Sequence, residues 1–415
     1  MSPDAARAAA ELAARQSYGR LVAYLSARTR DVAAAEDALG DAFAEALQRW
    51  PAAGVPDRPE AWLLAVARRR AIDALRRSRT RLASQDHLVM VADELAADDR
   101  AGEVPDERLR LMFACAHPAV EPGIRAPLIL QTVLGFDAAT IASAFLVSPT
   151  AMGQRLVRAK VRIRDAGIPF SIPERGELAE RLGAVLAAIY ATFTEGWSDP
   201  SGTDPQRRNL AGEGIWLGHL VASLMPAEPE ALGLLSLMLF AEARRSARRD
   251  AEGNYVPLAD QDVGQWDARL IAEAEALLRA AGRKHALGRY QLEAAIQSAH
   301  AVRCRTGCSD WAAIRSLYDA LAMLSPSPVV AINRAVAIGE LDGPAAALAE
   351  LDRIAGDRRV AQYQPYWAAR AALLARSGDV EAAAAAYRRA IGLERDPSIR
   401  RFLEERREAL CQAPQ

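Results

Sequence analysis

The sequence predicts an all-α chain, on three observations. Apolar residues recur at helical spacing from end to end, with no convincing pair of strands. Prolines and glycines gather in short clusters between those stretches, where they end helices. Near the C-terminus an alanine-rich unit repeats, with Tyr318, Leu351 and Tyr387 spaced 33 and 36 residues apart and each helix followed by a turn. At 415 residues and 51% hydrophobic, the chain is long enough for two or three domains. Its formal net charge is only −1, so the arginines that crowd two stretches are a segregated charge.

Residues 14–50 read as two helices broken near Thr29 to Asp31, the second being AAAEDALGDAFAEALQRW. Pro51 to Pro59, with three prolines and a glycine, reads as a loop. Glu60 to Arg81 reads as a helix that buries Trp62, Leu63, Val66, Ala67, Ala71, Ala74 and Leu75. The rest of it carries Arg68, Arg69, Arg70, Arg76, Arg77, Arg79 and Arg81, and within the stretch from Arg68 to Arg81 only Asp73 opposes them. An Asp73 bridge to Arg70 and Arg77, at i−3 and i+4, neutralises little of this, so a polyanion is the expected neighbour. Residues 83–106 form an acidic linker with Asp93, Glu94, Asp98, Asp99, Glu103 and Asp106.

Residues 107–170 read as a second helical module. Asp137 caps a short helix, DAATIASAF, with Ile141, Ala142 and Phe145 as its packing face. Leu146 and Val147 alone separate it from Ser148, an N-cap, and Pro149, a first helical residue. In the helix that follows, Met152, Leu156, Ala159 and Ile163 form an apolar stripe, and Ala151, Gln154, Arg155, Arg158 and Arg162 an adjoining polar face. This is a helix-turn-helix in outline. Thr150, Ala151, Gln154 and Arg155 then face base edges, and Arg158, Lys160, Arg162 and Arg164 face phosphates. The segment alone also suits an ordinary amphipathic helix with a solvated arginine face; the first basic helix weighs against that.

From residue 171 to 415 helices of moderate length alternate with Pro, Gly and Asp turns, and the repeat is clearest over 290–410. Trp367, Ala371, Gly378, Ala383, Tyr387 and Ala390 fit the large, small and turn positions of a tetratricopeptide (TPR) unit, whose helices pack closely over small side chains.

No apolar run approaches the ~20 residues of a membrane span, so a cytoplasmic protein without a membrane partner is expected. The four cysteines, Cys115, Cys304, Cys308 and Cys411, show no disulfide framework. His300, Cys304 and Cys308 recur at i, i+4 and i+8, but Gly307 weakens a helix there and a fourth ligand is missing, so no metal is expected. There is no phosphate loop or nucleophile elbow, and Glu195, Asp260, Asp262, Asp267 and His300 have no organising spacing; neither an enzyme nor a cofactor is expected.

Over positions 14 to 166 the chain resembles bacterial sigma factors of the extracytoplasmic-function (ECF) type. AEDALGDAF resembles their polymerase-clamp-binding helix, which implies contacts from Glu36, Asp37, Asp41 and Phe43; Gly40 replaces a common glutamine. AWLLAVARRRAIDALRR resembles the helix that binds the minus-ten element, implying roles for Arg68, Arg69, Arg70, Asp73, Arg76 and Arg77, with Arg69 in place of a common asparagine. Gly54, Val55, Pro56, Asp57 and Arg58 fall where such factors capture a flipped base. SPTAMGQRLVRAKVRIR resembles the minus-thirty-five recognition helix, implying DNA contacts from Thr150, Ala151, Gln154, Arg155, Arg158, Lys160 and Arg162.

The order of LRLMFACAHPAV, FLVSPTAMGQRLVRAK, DAGIPF, TEGW, DQDVGQWD and YQLEAAIQSAHA resembles a subgroup with a long TPR-like C-terminal extension. The resemblance implies an all-α chain of two small sigma modules, residues 10–82 for the polymerase clamp and minus-ten element and residues 107–170 with the helix-turn-helix, followed by a helical-repeat domain over 171–415. It implies core RNA polymerase and promoter DNA as partners and an extension that regulates or completes activity, with a protein or peptide regulator as candidate partner of the repeats. The alternative is a stand-alone helix-turn-helix regulator with a TPR-type sensor domain, which leaves 35–43 and 68–77 unexplained.

Overall fold

The computed structural model describes residues 3–79, 106–145, 147–197 and 205–412. The acidic linker therefore lies outside the described residues apart from Asp106, as do Leu146 and Arg81. Among the described residues the secondary structure is helical, and the only extended pairing is an isolated antiparallel bridge between Arg249 and Tyr255. The chain forms two compact units, Met1–Gly196 and Trp197–Gln415.

In the first unit, α1 (Pro3–Thr29) and α2 (Val32–Ala53) break where expected. Asp31 takes an extended conformation and its carboxylate accepts from the Ala34 amide at 3.2 Å, capping α2. The proline loop is shorter than the sequence suggests, because α2 continues through Pro51 to Ala53. Pro51 forfeits a backbone hydrogen bond. Burial of Trp50 against Trp62, edge-on at 5.5 Å, and a 3.0 Å bond from the Gly54 amide to the Trp50 carbonyl offset that loss. Only 54–58 is left as the connection to α3 (Pro59–Arg79), which packs on both preceding helices.

Next come α4 (Arg108–Cys115), α5 (Pro122–Leu134), α6 (Ala138–Ala144) and α7 (Pro149–Asp165). Their core includes Met112, Phe113, Leu128, Ile129, Ile141, Met152, Leu156 and Ile163, all buried. These helices pack on the first three: α4 and α5 lie on α1, and α7 lies on α2. Gly19 makes the α1–α5 crossing this close, since a Cβ there would meet the Val133 carbonyl oxygen at 2.0 Å. The helix α8 (Arg175–Trp197) falls mainly in this first unit, and its Arg181 donates to the Phe113 carbonyl at 3.0 Å.

The second unit begins with α9 (Pro205–Leu224) and α10 (Pro229–Ala243). α10 is apolar all round and is correspondingly buried, with α9, α11 (Ala268–Gly282) and α12 (Arg289–Ala301) around it. Glu230, in its first turn, accepts from the Tyr290 and Gln291 amides at 3.0 and 3.1 Å and so caps α12 from a neighbouring helix. Glu230→Ala should orphan both amides and cost about 1–2 kcal/mol, read as a lower thermal midpoint.

After α13 (Arg303–Thr306) come α14 (Trp311–Leu324), α15 (Pro328–Leu341), α16 (Pro344–Ile354), α17 (Arg358–Ala361), α18 (Gln364–Arg376), α19 (Val380–Leu393) and α20 (Pro397–Gln412). Helices at neighbouring positions pack on one another in a helical repeat, with small residues between them. Ala371, Ala383, Tyr387 and Ala390 share one core cluster, against which Trp367 packs. The last of these helices also meets the segment that follows α10. Arg249 pairs with Asp396 at 2.9 Å, and the Tyr255 ring meets Phe402 edge-on at 5.6 Å.

Candidate nucleic-acid interface

Two short-range caps start the adjoining helices α6 and α7. Asp137 accepts from the Thr140 amide at 2.8 Å to start α6, and Ser148 Oγ accepts from the Ala151 amide at 3.2 Å to start α7. Met152, Leu156, Ala159 and Ile163 all turn inward. That rotation leaves Thr150, Ala151, Gln154, Arg158 and Arg162 exposed, with Arg155 half-buried between them and the core. An open groove of ≈ 490 Å³ between α7 and the start of α5 is lined by Val120, Glu121, Ile124, Arg155, Arg158 and Arg162. Arg155 lies 3.7 Å from the exposed Glu121 carboxylate, a surface contact that holds it weakly.

Lys160 departs from its expected place among the phosphate contacts. It is 8% exposed and makes an ion pair with Glu36 of α2, and this pair is what the spacing within either helix did not reveal. Burial raises the Glu36 carboxyl above its ordinary range, against the pull of the Lys160 ammonium. Arg164 adds a second tie, 3.6 Å from Asp31. Of the other expected polymerase contacts, Asp37 and Asp41 are exposed on α2 and Phe43 is half-buried.

On α3, Arg69 and Arg70 are exposed and Arg68 is half-buried. Arg70 reaches Glu45 of α2 at 2.8 Å, which the Asp73 bridge expected from spacing did not anticipate. Asp73 is exposed, and the side chains of Arg76 and Arg77 lie outside the described residues. The connection beside this basic surface has Gly54, at φ 85°, then half-buried Val55 and Pro56 and exposed Asp57 and Arg58. Buried Trp50 and half-buried Trp62 brace its two ends, a role the sequence reading did not give Trp50.

Among the described residues no group of three or more His, Cys, Asp or Glu is placed to hold a metal, and no helix is long and apolar enough to cross a membrane. The His300, Cys304, Cys308 series is interrupted at Val302, between α12 and α13, and both cysteines are exposed.

Residues 14–81 match sigma-70 region 2, and residues 181–282 match a family of unknown function, DUF6596. An uncharacterized protein, R00370, of Rhizobium meliloti is 40% identical over 404 residues, covering 96% of this chain and 94% of that protein. A probable RNA polymerase sigma factor, RfaY, of Xanthomonas campestris is 33% identical over 164 residues, covering 36% of this chain and 40% of the relative. No solved structure matches.

Proposed function

Since the chain belongs to the sigma-70 family of RNA polymerase sigma factors and shares nearly its whole length with the Rhizobium protein, we propose that it is a factor of the ECF type with a regulatory TPR-like extension. Core RNA polymerase and promoter DNA are the partners of that family. In this reading Asp37, Asp41 and Phe43 meet the polymerase clamp, and the 54–58 connection with α3 holds the melted minus-ten strand. Thr150, Ala151, Gln154 and Arg155 read the minus-thirty-five element while Arg158 and Arg162 hold its backbone. The observation that carries the reading is the outward polar face of α7, set by two caps and an inward apolar stripe.

The arrangement of the first unit belongs to the factor before it engages a promoter. Elements at minus ten and minus thirty-five are separated by about 85 Å of duplex at ~3.4 Å per base pair, whereas α7 here packs directly on α2. Promoter binding therefore separates these helices and releases Lys160 and Glu36 together, the lysine to phosphate and the carboxylate to polymerase.

Promoter-dependent transcription by purified core polymerase, with and without the protein, tests the assignment. Initiation only in its presence is the expected result; duplex binding without any effect of polymerase would make it a stand-alone regulator instead. Arg155→Ala should cost about 1–3 kcal/mol of discrimination at one position of the minus-thirty-five element. An unchanged promoter preference would remove Arg155 from base reading. Deleting 197–415 should change promoter output, and equal output would remove the extension from control.

A further inference from the structure

Three guanidinium groups converge in the second unit without an acid among them. Arg244 follows α10, Arg248 ends the 3-10 turn after it, and Arg303 opens α13. Arg244 and Arg303 lie 5.8 and 5.5 Å from the centroid of one indole, Trp266, and Arg248 lies 4.4 Å from the Trp197 ring. Among the described residues every hydrogen-bond acceptor they use is neutral. Arg244 donates to Gln297 Oε1 at 2.7 Å and Arg248 to the Trp197 carbonyl at 3.0 Å. Arg303 donates to the carbonyls of Leu258, Ala259 and Gln261 at 2.8, 3.0 and 2.6 Å. Among the described residues none of the three has a carboxylate in salt-bridge range. Asp396, the acid that acts on Arg248, is engaged by Arg249 at 2.9 Å, and Glu242 by Arg245 at 2.8 Å.

All three arginines are half-buried, as are Tyr255, His300 and Tyr318 beside them, so the cluster is recessed but still reached by water. The charges feel one another. Burial, followed by Arg248 and Arg303, lowers Arg244 to about 10, and burial, followed by Arg244 and Arg303, holds His300 at about 4. His300 is thus neutral near pH 7, and the Nε1 of Trp266 is a buried donor without an acceptor among the described residues. Like charges gathered this way, on side chains suited to bidentate contact with planar or tetrahedral oxyanions, want a counter-charge from outside the protein. Gln297 and His300 of α12 and Tyr318 of α14 lie beside the arginines, and Arg244, Arg248, Tyr255 and Trp266 all fall in the 181–282 segment of unknown function.

We propose that Arg244, Arg248 and Arg303 form a binding site for a small doubly charged oxyanion, a phosphate monoester or a dicarboxylate. The anion ties α10, α13 and the 246–266 segment together, giving the extension a small-molecule input. This is independent of the promoter-reading assignment, because its test needs neither polymerase nor DNA.

Calorimetric titration of the full-length protein with inorganic phosphate and, separately, with succinate, against chloride at matched ionic strength, tests it. Saturable binding of one or both dianions below about 10 mM is expected, and which one binds identifies the chemistry. Arg244→Gln and Arg303→Gln should weaken it at least about tenfold. Arg315→Gln, which loses only a surface pair with Asp342, should leave it unchanged. In wild-type protein a bound anion should move the His300 titration upward from about 4, followed by NMR among the chain's five histidines. No saturable binding of either dianion, undiminished binding in both variants, or an unmoved His300 each overturns the proposal.

Discussion

Lys160→Met is expected to destabilise the first unit by about 3–5 kcal/mol, because it strands the Glu36 carboxylate where water barely reaches. The cost belongs to the orphaned charge more than to the lost attraction. Glu36→Gln in the same background should therefore recover most of it, leaving the double variant within about 1–2 kcal/mol of the parent. The pH dependence separates this from a packing defect. In the single variant the folded carboxyl is held above its ordinary value of 4.5 by burial, with its opposing ammonium gone. Above that pH the folded chain keeps a proton that the unfolded chain releases, so stability falls as pH rises until the folded carboxyl itself ionises. Urea unfolding at pH 5 and pH 7.5 should show the larger deficit at the higher pH. A deficit equal at both, or untouched by Glu36→Gln, would mean that the ion pair does not form in solution.

What could be read from the sequence was what depends on neighbours along the chain. Ser148 and Asp137 cap the helices they precede through atoms three residues away, and Met152, Leu156, Ala159 and Ile163 need only the helical period to share a face. The small residues that let α18 and α19 approach, Ala371, Ala383 and Ala390, were legible for the same reason. Lys160 illustrates the opposite case. Its spacing placed it among basic residues of one helix, but its partner is 124 residues away, and no period within α7 reports that. Arg70 likewise answers to Glu45 across a helix pair. At Pro51 the local rule was sound but tertiary packing overrode it, since the helix runs on past Trp50, which is buried beside Trp62. The cationic cluster at Arg244 was illegible because its members lie up to 59 residues apart with no shared motif.

Gly19→Ala turns the packed arrangement of the first unit into a question of sign. In an exposed helix interior, replacing glycine by alanine stabilises by up to about 1 kcal/mol, because alanine loses less backbone freedom on folding. Gly40, on α2 with nothing within 4 Å of a Cβ, should show that gain. At Gly19 the same methyl meets the Val133 carbonyl oxygen at 2.0 Å and its carbon at 2.9 Å, both backbone atoms that no rotamer change can move. The α1–α5 crossing must then open, and overpacking of this kind costs about 1–3 kcal/mol net. The two substitutions thus have opposite expected signs in thermal or urea unfolding of the free protein. Stabilisation at both positions would mean that α1 and α5 are already apart before polymerase binds, and the release of Lys160 from Glu36 could then not be a step in promoter engagement. Destabilisation at Gly19 alone would place the packed state in solution, and the same variant should then favour the separated helices that an ~85 Å promoter span requires.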